Sequence, residues 1–177
     1  GKDSTIAVVG LGGLGHMAIK LAHALGAHVT LFSRSTNKIE DAKALGADAV
    51  IISTDEAQMK KAMGRFDVII DTVPYAHDLN PYVATLNTSG TLVVVGYLGP
   101  LDPMLMTIPM IMGRKSVAGS LIGGIAETQE LLDFCGKHNI TSDVEVIKIQ
   151  EINQAYERML HSDVKYRFVI DMKSLKS

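Results

Sequence analysis

Apolar residues along the 177-residue chain fall into short unbroken runs, separated by stretches with helical spacing. The first run, Ile6-Ala7-Val8-Val9, predicts a strand. It runs into Gly10-Leu11-Gly12-Gly13-Leu14-Gly15, and Met17, Ile19, Leu21, Ala22 and Leu25 then recur as on one face of a helix. The helix ends at Gly26, and Val29 to Ser33 predicts the second strand. A helix from Lys38 to Leu45 closes at Gly46, and Ala49 to Ile52 forms the third strand. Asp55 is placed to cap a helix reaching Met63. Phe66 to Asp71 is nearly continuous in apolar residues, as a strand covered on both faces should be. A helix near Pro81 to Leu86, strands Thr91 to Gly96 and Ser116 to Ser120, and a helix from Ala126 to Lys137 complete the alternation. That last helix has Glu127, Glu130 and Asp133 toward its start and Lys137 and His138 at its end, as the helix dipole prefers.

Six short strands alternating with helices imply an α/β fold with a parallel sheet covered on both faces. The glycine turn after the first strand selects the doubly wound, dinucleotide-binding (Rossmann) version. Residues 143–177 fall outside this pattern. They predict a strand (Val144 to Ile149), a helix with Ile152, Ala155, Tyr156 and Met159 on one face, and a strand (Phe168 to Asp171). Two parts follow: a Rossmann domain over 1–142, and a strand-helix-strand segment over 143–177 expected to pack on a domain absent from this chain.

One segment fits neither pattern. GPLDPMLMTIPMIMGRK, between the fifth and sixth strands, holds four of the nine methionines and three of the five prolines. Such apolar content suits a connection packed on the core. It equally suits a subunit interface, where methionine is enriched and an edge strand can pair across a two-fold axis.

Composition narrows the function. The chain is 47% hydrophobic and 20% charged, with a formal net charge of −2, so it is an ordinary folded protein without a basic patch for nucleic acid. The apolar stretches Met104 to Met112 and Val117 to Ala126 are too short and too interrupted to span a bilayer. Cys135 stands alone, which excludes an internal disulfide and fits a reducing, cytoplasmic setting. The first residues do not form a secretory signal; they enter a core strand at once, as expected of a piece of something longer.

Strand, glycine turn and helix together make Gly10, Gly12, Gly13, Leu14 and Gly15 a pyrophosphate loop. Gly10 permits the tight turn, Gly12 admits the backbone to the pyrophosphate, and Gly15 lets helix and strand pack closely. The helix N-terminus adds free N–H groups and a positive dipole end. An NAD site has an Asp or Glu about 20 residues on, for the ribose 2′-hydroxyl. Here no Asp or Glu occurs from Ser4 to Ile39; Ser33, Arg34, Ser35 and Lys38 cluster at that place instead. A guanidinium grips a 2′-phosphate bidentately, and a carboxylate would repel it. NADP(H) is therefore the expected cofactor. Ligands lie beyond the carboxyl ends of the strands, which adds Thr72 and Val73 after the fourth strand. Gly96 and Tyr97, with Gly119, Ser120 and Leu121, should lie on the nicotinamide side, where backbone groups can hold a carboxamide. The six histidines show no metal-ligand spacing, although His16, just past Gly15, is within reach of a phosphate. A methyltransferase is disfavoured by the same missing acid after strand two.

GLGGLGHMAIKLAHALGA, KALGADAV, GSLIGGIAETQELLDFC and INQAYERMLHSDVKYRFVIDM together resemble the zinc-dependent medium-chain alcohol dehydrogenases. Within them the chain is similar to the cinnamyl alcohol dehydrogenase group and its NADPH-dependent aldehyde reductases. The resemblance implies reversible reduction of an aldehyde to a primary alcohol by NADPH at a catalytic zinc. It matches the glycine loop to the pyrophosphate, Ser33, Arg34 and Lys38 to the 2′-phosphate, and Ser120 to the nicotinamide side. It also matches Arg167 to an arginine reaching back to the cofactor phosphates, and the region of Met104 to Met112 to the join of a homodimer. The family's zinc ligands and proton-relay residues sit in an N-terminal catalytic domain that is not in this chain, and one cysteine cannot build its four-cysteine zinc site. Two functions stay open: the cofactor half of such an enzyme, or a stand-alone NADP(H)-binding or redox-sensing module without catalysis.

Overall fold

A computed structural model describes residues 1–96, 99–161 and 163–176. It divides into two units, Gly1–Ile140 and Thr141–Ser177. In the first, six strands form one parallel sheet: β1 (Thr5–Val9), β2 (His28–Ser33), β3 (Ala49–Ile52), β4 (Phe66–Asp71), β5 (Leu86–Val94) and β6 (Ser116–Gly119). Their order across the sheet is β3-β2-β1-β4-β5-β6. The order reverses between β1 and β4, and that switch point opens a crevice beyond the strand ends. The doubly wound fold expected from the alternation is therefore the fold observed.

The connecting helices are α1 (Gly13–Ala24), α2 (Ile39–Ala44), α3 (Glu56–Lys61), α4 (Asn80–Thr85), α5 (Thr107–Gly113) and α6 (Ile125–His138). The core collects Ala7, Val9, Phe32, Phe66, Ile69, Leu79, Val83, Leu86 and Leu92. Phe32 meets Phe66 and Tyr82 edge-on at ring distances of 5.4 and 5.3 Å, which fixes α4 over the centre of the sheet.

One expectation needs correction. Leu86 belongs to β5, not to the end of α4, because it pairs with Phe66. The ladder then shifts register and resumes at Val68–Thr91, and Ser89 between them takes a left-handed φ of 63°. The polar run Asn87 to Gly90 is thus an irregularity inside one strand. The methionine-rich segment contains a helix, α5. Leu101, Leu105 and Met110 pack on the core, whereas Met104, Met106, Ile108, Ile111 and Met112 are exposed. The helix expected over residues 126–137 forms as α6; none of its residues is buried, and Ile125 is 93% exposed. Among the described residues, no helix is long and apolar enough to cross a membrane.

The second unit holds β7 (Glu145–Lys148), α7 (Ile152–Leu160) and β8 (Phe168–Asp171), with β7 and β8 paired in parallel. Arg158 of α7 binds Glu145 at 2.8 Å and Asp163 at 2.9 Å, and its guanidinium lies 4.8 Å from the centre of the Phe168 ring. One arginine therefore ties the helix to both strands of this small sheet.

Candidate functional site

The site begins at the end of β1. Gly10 adopts a φ of +90°, the left-handed region that glycine occupies without strain. A Cβ on Gly15 would stand 2.1 Å from the Gly10 carbonyl oxygen, so the first turn of α1 lies directly against the strand end. A Cβ on Gly12 would meet nothing within 4 Å. The loop is thus closed toward the protein at Gly15 and open toward solvent at Gly12. An open cradle of this kind, at the start of a helix of 12 residues, fits a pyrophosphate. Gly13 starts that helix and Leu14 is exposed on it. His16 is fully buried, with its Nδ1 3.1 Å from the Gly12 carbonyl; it supports the loop from below.

The neighbouring strand ends come to the same edge. Thr72 donates its hydroxyl to the Val9 carbonyl at 2.8 Å, joining the ends of β4 and β1. Val73 N–H donates to Asp71 Oδ1 at 3.1 Å. A Cβ on Gly96 would lie 2.2 Å from the Val73 carbonyl oxygen, so the chains leaving β4 and β5 can approach this closely only with glycine there. Gly96 also lines a cleft of about 510 Å³ with Leu79, Val94, Leu101 and Val117. Ser120 N–H donates to the Val94 carbonyl at 3.1 Å, and Gly119 at the end of β6 and Ser120 and Leu121 after it are exposed. Tyr97 lies outside the described residues.

At the end of β2, Ser33 donates its hydroxyl to the Ser35 carbonyl at 2.8 Å and shapes the turn that presents Arg34 and Ser35. Both are exposed, and Lys38 follows at the end of the short helical turn Thr36–Lys38. Among the described residues, Arg34 has no ion-pair partner. Its guanidinium stands over the Tyr75 ring, 5.5 Å from the centroid. Arg167 is exposed in the second unit, where its carbonyl accepts from Glu145 N–H at 2.8 Å.

Beneath this edge lies a pair that the sequence did not single out. Asp71, at the end of β4, is 0% exposed. Its Oδ2 faces His77 Nε2 at 3.1 Å, off the hydrogen-bonding line, and neither atom has another hydrogen-bond partner. His77 Nδ1 lies 2.9 Å from the Tyr75 carbonyl. A carbonyl only accepts, so Nδ1 carries its proton. Burial pushes the Asp71 carboxyl above the ordinary aspartate range, and its hydrogen bond from Val73 and the nearby His77 pull the other way. Burial also raises the Tyr82 phenol, against a hydrogen bond to Ser53. The available signal was an acid closing an apolar strand, with a histidine six residues on; alone it has no chemical specificity.

Among the described residues, no three His, Cys, Asp or Glu side chains converge to hold a metal ion. The described residues do not fit a zinc site.

A family profile described as zinc-binding dehydrogenase matches residues 13–137. Aldehyde reductase YahK of Escherichia coli is 50% identical over 175 residues, covering 99% of this chain and 50% of that protein. Cinnamyl alcohol dehydrogenase 7 of Arabidopsis thaliana is 53% identical over 169 residues, 94% of this chain and 47% of that one. A cinnamyl alcohol dehydrogenase structure from Sorghum bicolor superposes with a TM-score of 0.92 at 47% identity, covering 96% of this chain and 48% of that one. The Helicobacter pylori structure complexed with NADP(H) gives 0.84 at 40% identity, covering 97% and 49%. The chain spans about half the length of the curated relatives it matches. On a family match across residues 13–137 and the sheet order that goes with it, the chain belongs to the zinc-binding dehydrogenases and is similar to their cinnamyl alcohol dehydrogenase and aldehyde reductase members.

Proposed function

We propose that this chain is the NADP(H)-binding part of a zinc-type alcohol dehydrogenase or aldehyde reductase, which transfers hydride between NADPH and an aldehyde or primary alcohol. The observation that carries this is Arg34: an exposed guanidinium without an ion-pair partner among the described residues, at the strand end where an NAD site has a carboxylate. The solved Helicobacter pylori relative, complexed with NADP(H), supports the reading.

In this reading Gly10, Gly12, Gly13, Leu14 and Gly15 hold the pyrophosphate, with Thr72 and Val73 flooring the crevice. Arg34, Ser33, Ser35 and Lys38 hold the 2′-phosphate. Backbone groups at Gly96, Gly119, Ser120 and Leu121 orient the nicotinamide; Tyr97 is assigned to the same side by its place in the sequence. Arg167 is assigned to the phosphates by its match in KYRFV. The bound cofactor supplies the hydride, while the chain's own groups fix which way the ring faces and keep the phosphates neutralised. Zinc and most of the substrate pocket would belong to an N-terminal catalytic domain on which residues 143–177 pack, and the whole would be a homodimer.

The test is calorimetric titration of wild type and Arg34→Ala with NADPH and NADH at fixed salt. One charge-assisted hydrogen bond contributes about 1.5–3 kcal/mol. Arg34→Ala should therefore weaken NADPH about tenfold and leave NADH nearly unchanged. Equal losses for both cofactors would overturn the assignment. Selective NADPH binding by a full-length protein that turns over no aldehyde would favour a sensing module.

A further inference from the structure

We propose that Tyr75, anchored from below by the buried Asp71–His77 pair, is a positioning residue that sets selectivity for the 2′-phosphorylated cofactor by holding Arg34 in place. This rests on the NADP(H) reading of Arg34. An exposed arginine is a flexible side chain, and fixing it for a phosphate costs rotamer freedom on binding. A protein can lower that cost by holding the arginine beforehand. A carboxylate partner would hold it, but would also cancel the charge that the phosphate needs. An aromatic ring face attracts the cation and takes up no acceptor-bound N–H donor. Tyr75 offers that face, with its ring centroid 5.5 Å from the guanidinium carbon.

The ring must itself be held. Tyr75 lies on the loop between β4 and α4, and it is 48% exposed, so packing alone does not fix it. The loop is pinned through its backbone instead. His77 Nδ1–H donates to the Tyr75 carbonyl at 2.9 Å. The His77 ring is packed between Asp71, whose Oδ2 faces its Nε2 at 3.1 Å, and Tyr82, which it meets edge-on at a ring distance of 5.9 Å. Asp71 is fixed at the end of β4, where Val73 N–H donates to it. A line of contacts therefore runs from the sheet, through Asp71 and His77, to Tyr75 and then to Arg34. The last contact of the line, Tyr75 on Arg34, lies at the 2′ end of the cofactor.

The test compares wild type, Tyr75→Ala, Tyr75→Phe, His77→Ala, Arg34→Ala and the Arg34→Ala/Tyr75→Ala double variant. Each is titrated with NADPH and NADH, and its melting temperature is recorded. Tyr75→Ala should weaken NADPH about threefold to fivefold, the range of an exposed cation–π contact, and leave NADH and the melting temperature nearly unchanged. Tyr75→Phe keeps the ring face and should bind like wild type. His77→Ala should lose NADPH selectively, as Tyr75→Ala does. In the double variant, removing Tyr75 should add nothing to the loss caused by Arg34→Ala. Equal losses for both cofactors in Tyr75→Ala, no loss for either, or additive losses in the double variant would overturn the proposal. If Arg34→Ala weakens NADPH selectively and Tyr75→Ala does not, only this inference falls. If Arg34→Ala has no selective effect, the NADP(H) reading falls and takes this one with it.

Discussion

At the scale of single residues, the glycines of the loop separate into two kinds that their spacing cannot distinguish. A Cβ on Gly15 would meet the Gly10 carbonyl at 2.1 Å, a backbone atom that cannot move aside. Gly15→Ala should destabilise the fold by about 1–3 kcal/mol, as overpacking does. A Cβ on Gly12 meets nothing within 4 Å, and Gly12 has an extended backbone with φ −128°. Gly12→Ala should keep the wild-type melting temperature. Its methyl group would stand where the pyrophosphate is proposed to lie, and NADPH and NADH should both weaken about tenfold or more, through loss of a charge-assisted hydrogen bond. Thermal melts paired with titrations check both; a Gly12→Ala protein that melts early yet binds normally would contradict the assignment. The loop was legible because glycine at fixed spacing has few physical uses. So was the missing acid after β2, a plain fact of composition. Tyr75 and His77 were not legible. What joins them to Arg34 is the path of a loop with no periodicity, and a tyrosine or histidine in a loop has many uses.

At the scale of elements, local chemistry decides where helices start more reliably than where they end. Asp55 caps α3: Ala57 N–H donates to its Oδ1 at 2.9 Å and Gln58 N–H at 3.1 Å. The Gln58 backbone hydrogen bond is the largest cause holding the Asp55 carboxyl below the ordinary aspartate range. A lowered folded pKa gives stability that is present above the unfolded value and lost as pH falls through the folded one. Asp55→Ala should therefore lower the melting temperature at neutral pH, with a deficit that shrinks in acid. Asp55→Asn, an equally good cap, should hold close to wild type at neutral pH. Melts across a pH series check this; a deficit independent of pH would mean that the charged cap contributes nothing. The cap was readable because an Asp before a helical run has one dominant use. The start of β5 was not, since Asn87-Thr88-Ser89-Gly90 has the composition of a turn and pairing with β4 overrides it. In α5 a proline is tolerated because it lies in the helix's first turn: Pro109 is the third residue of Thr107–Gly113.

For the whole molecule, the informative feature is apolar surface left uncovered. β6 is an edge strand of the sheet, and residues 104–112 beside it in sequence expose Met104, Met106, Ile108, Ile111 and Met112. A lone exposed leucine means little, but several large apolar side chains on one short segment mark a contact surface. Parallel strand edges left open also invite pairing with another chain. A second copy joined through β6 would satisfy both needs at once, because a two-fold axis pairs the same edge with itself. The chain should therefore sediment as a dimer at micromolar concentration. Ile111→Glu combined with Met112→Glu places charge in that contact and should shift the protein to monomer. Neither residue belongs to the proposed cofactor cradle, so NADPH affinity should not change. Sedimentation velocity over a concentration series, with a titration of the same samples, checks the prediction. A wild-type chain that stays monomeric throughout would assign this surface to some other partner, such as the proposed catalytic domain. A dimer that survives the double substitution would place the join elsewhere on the sheet.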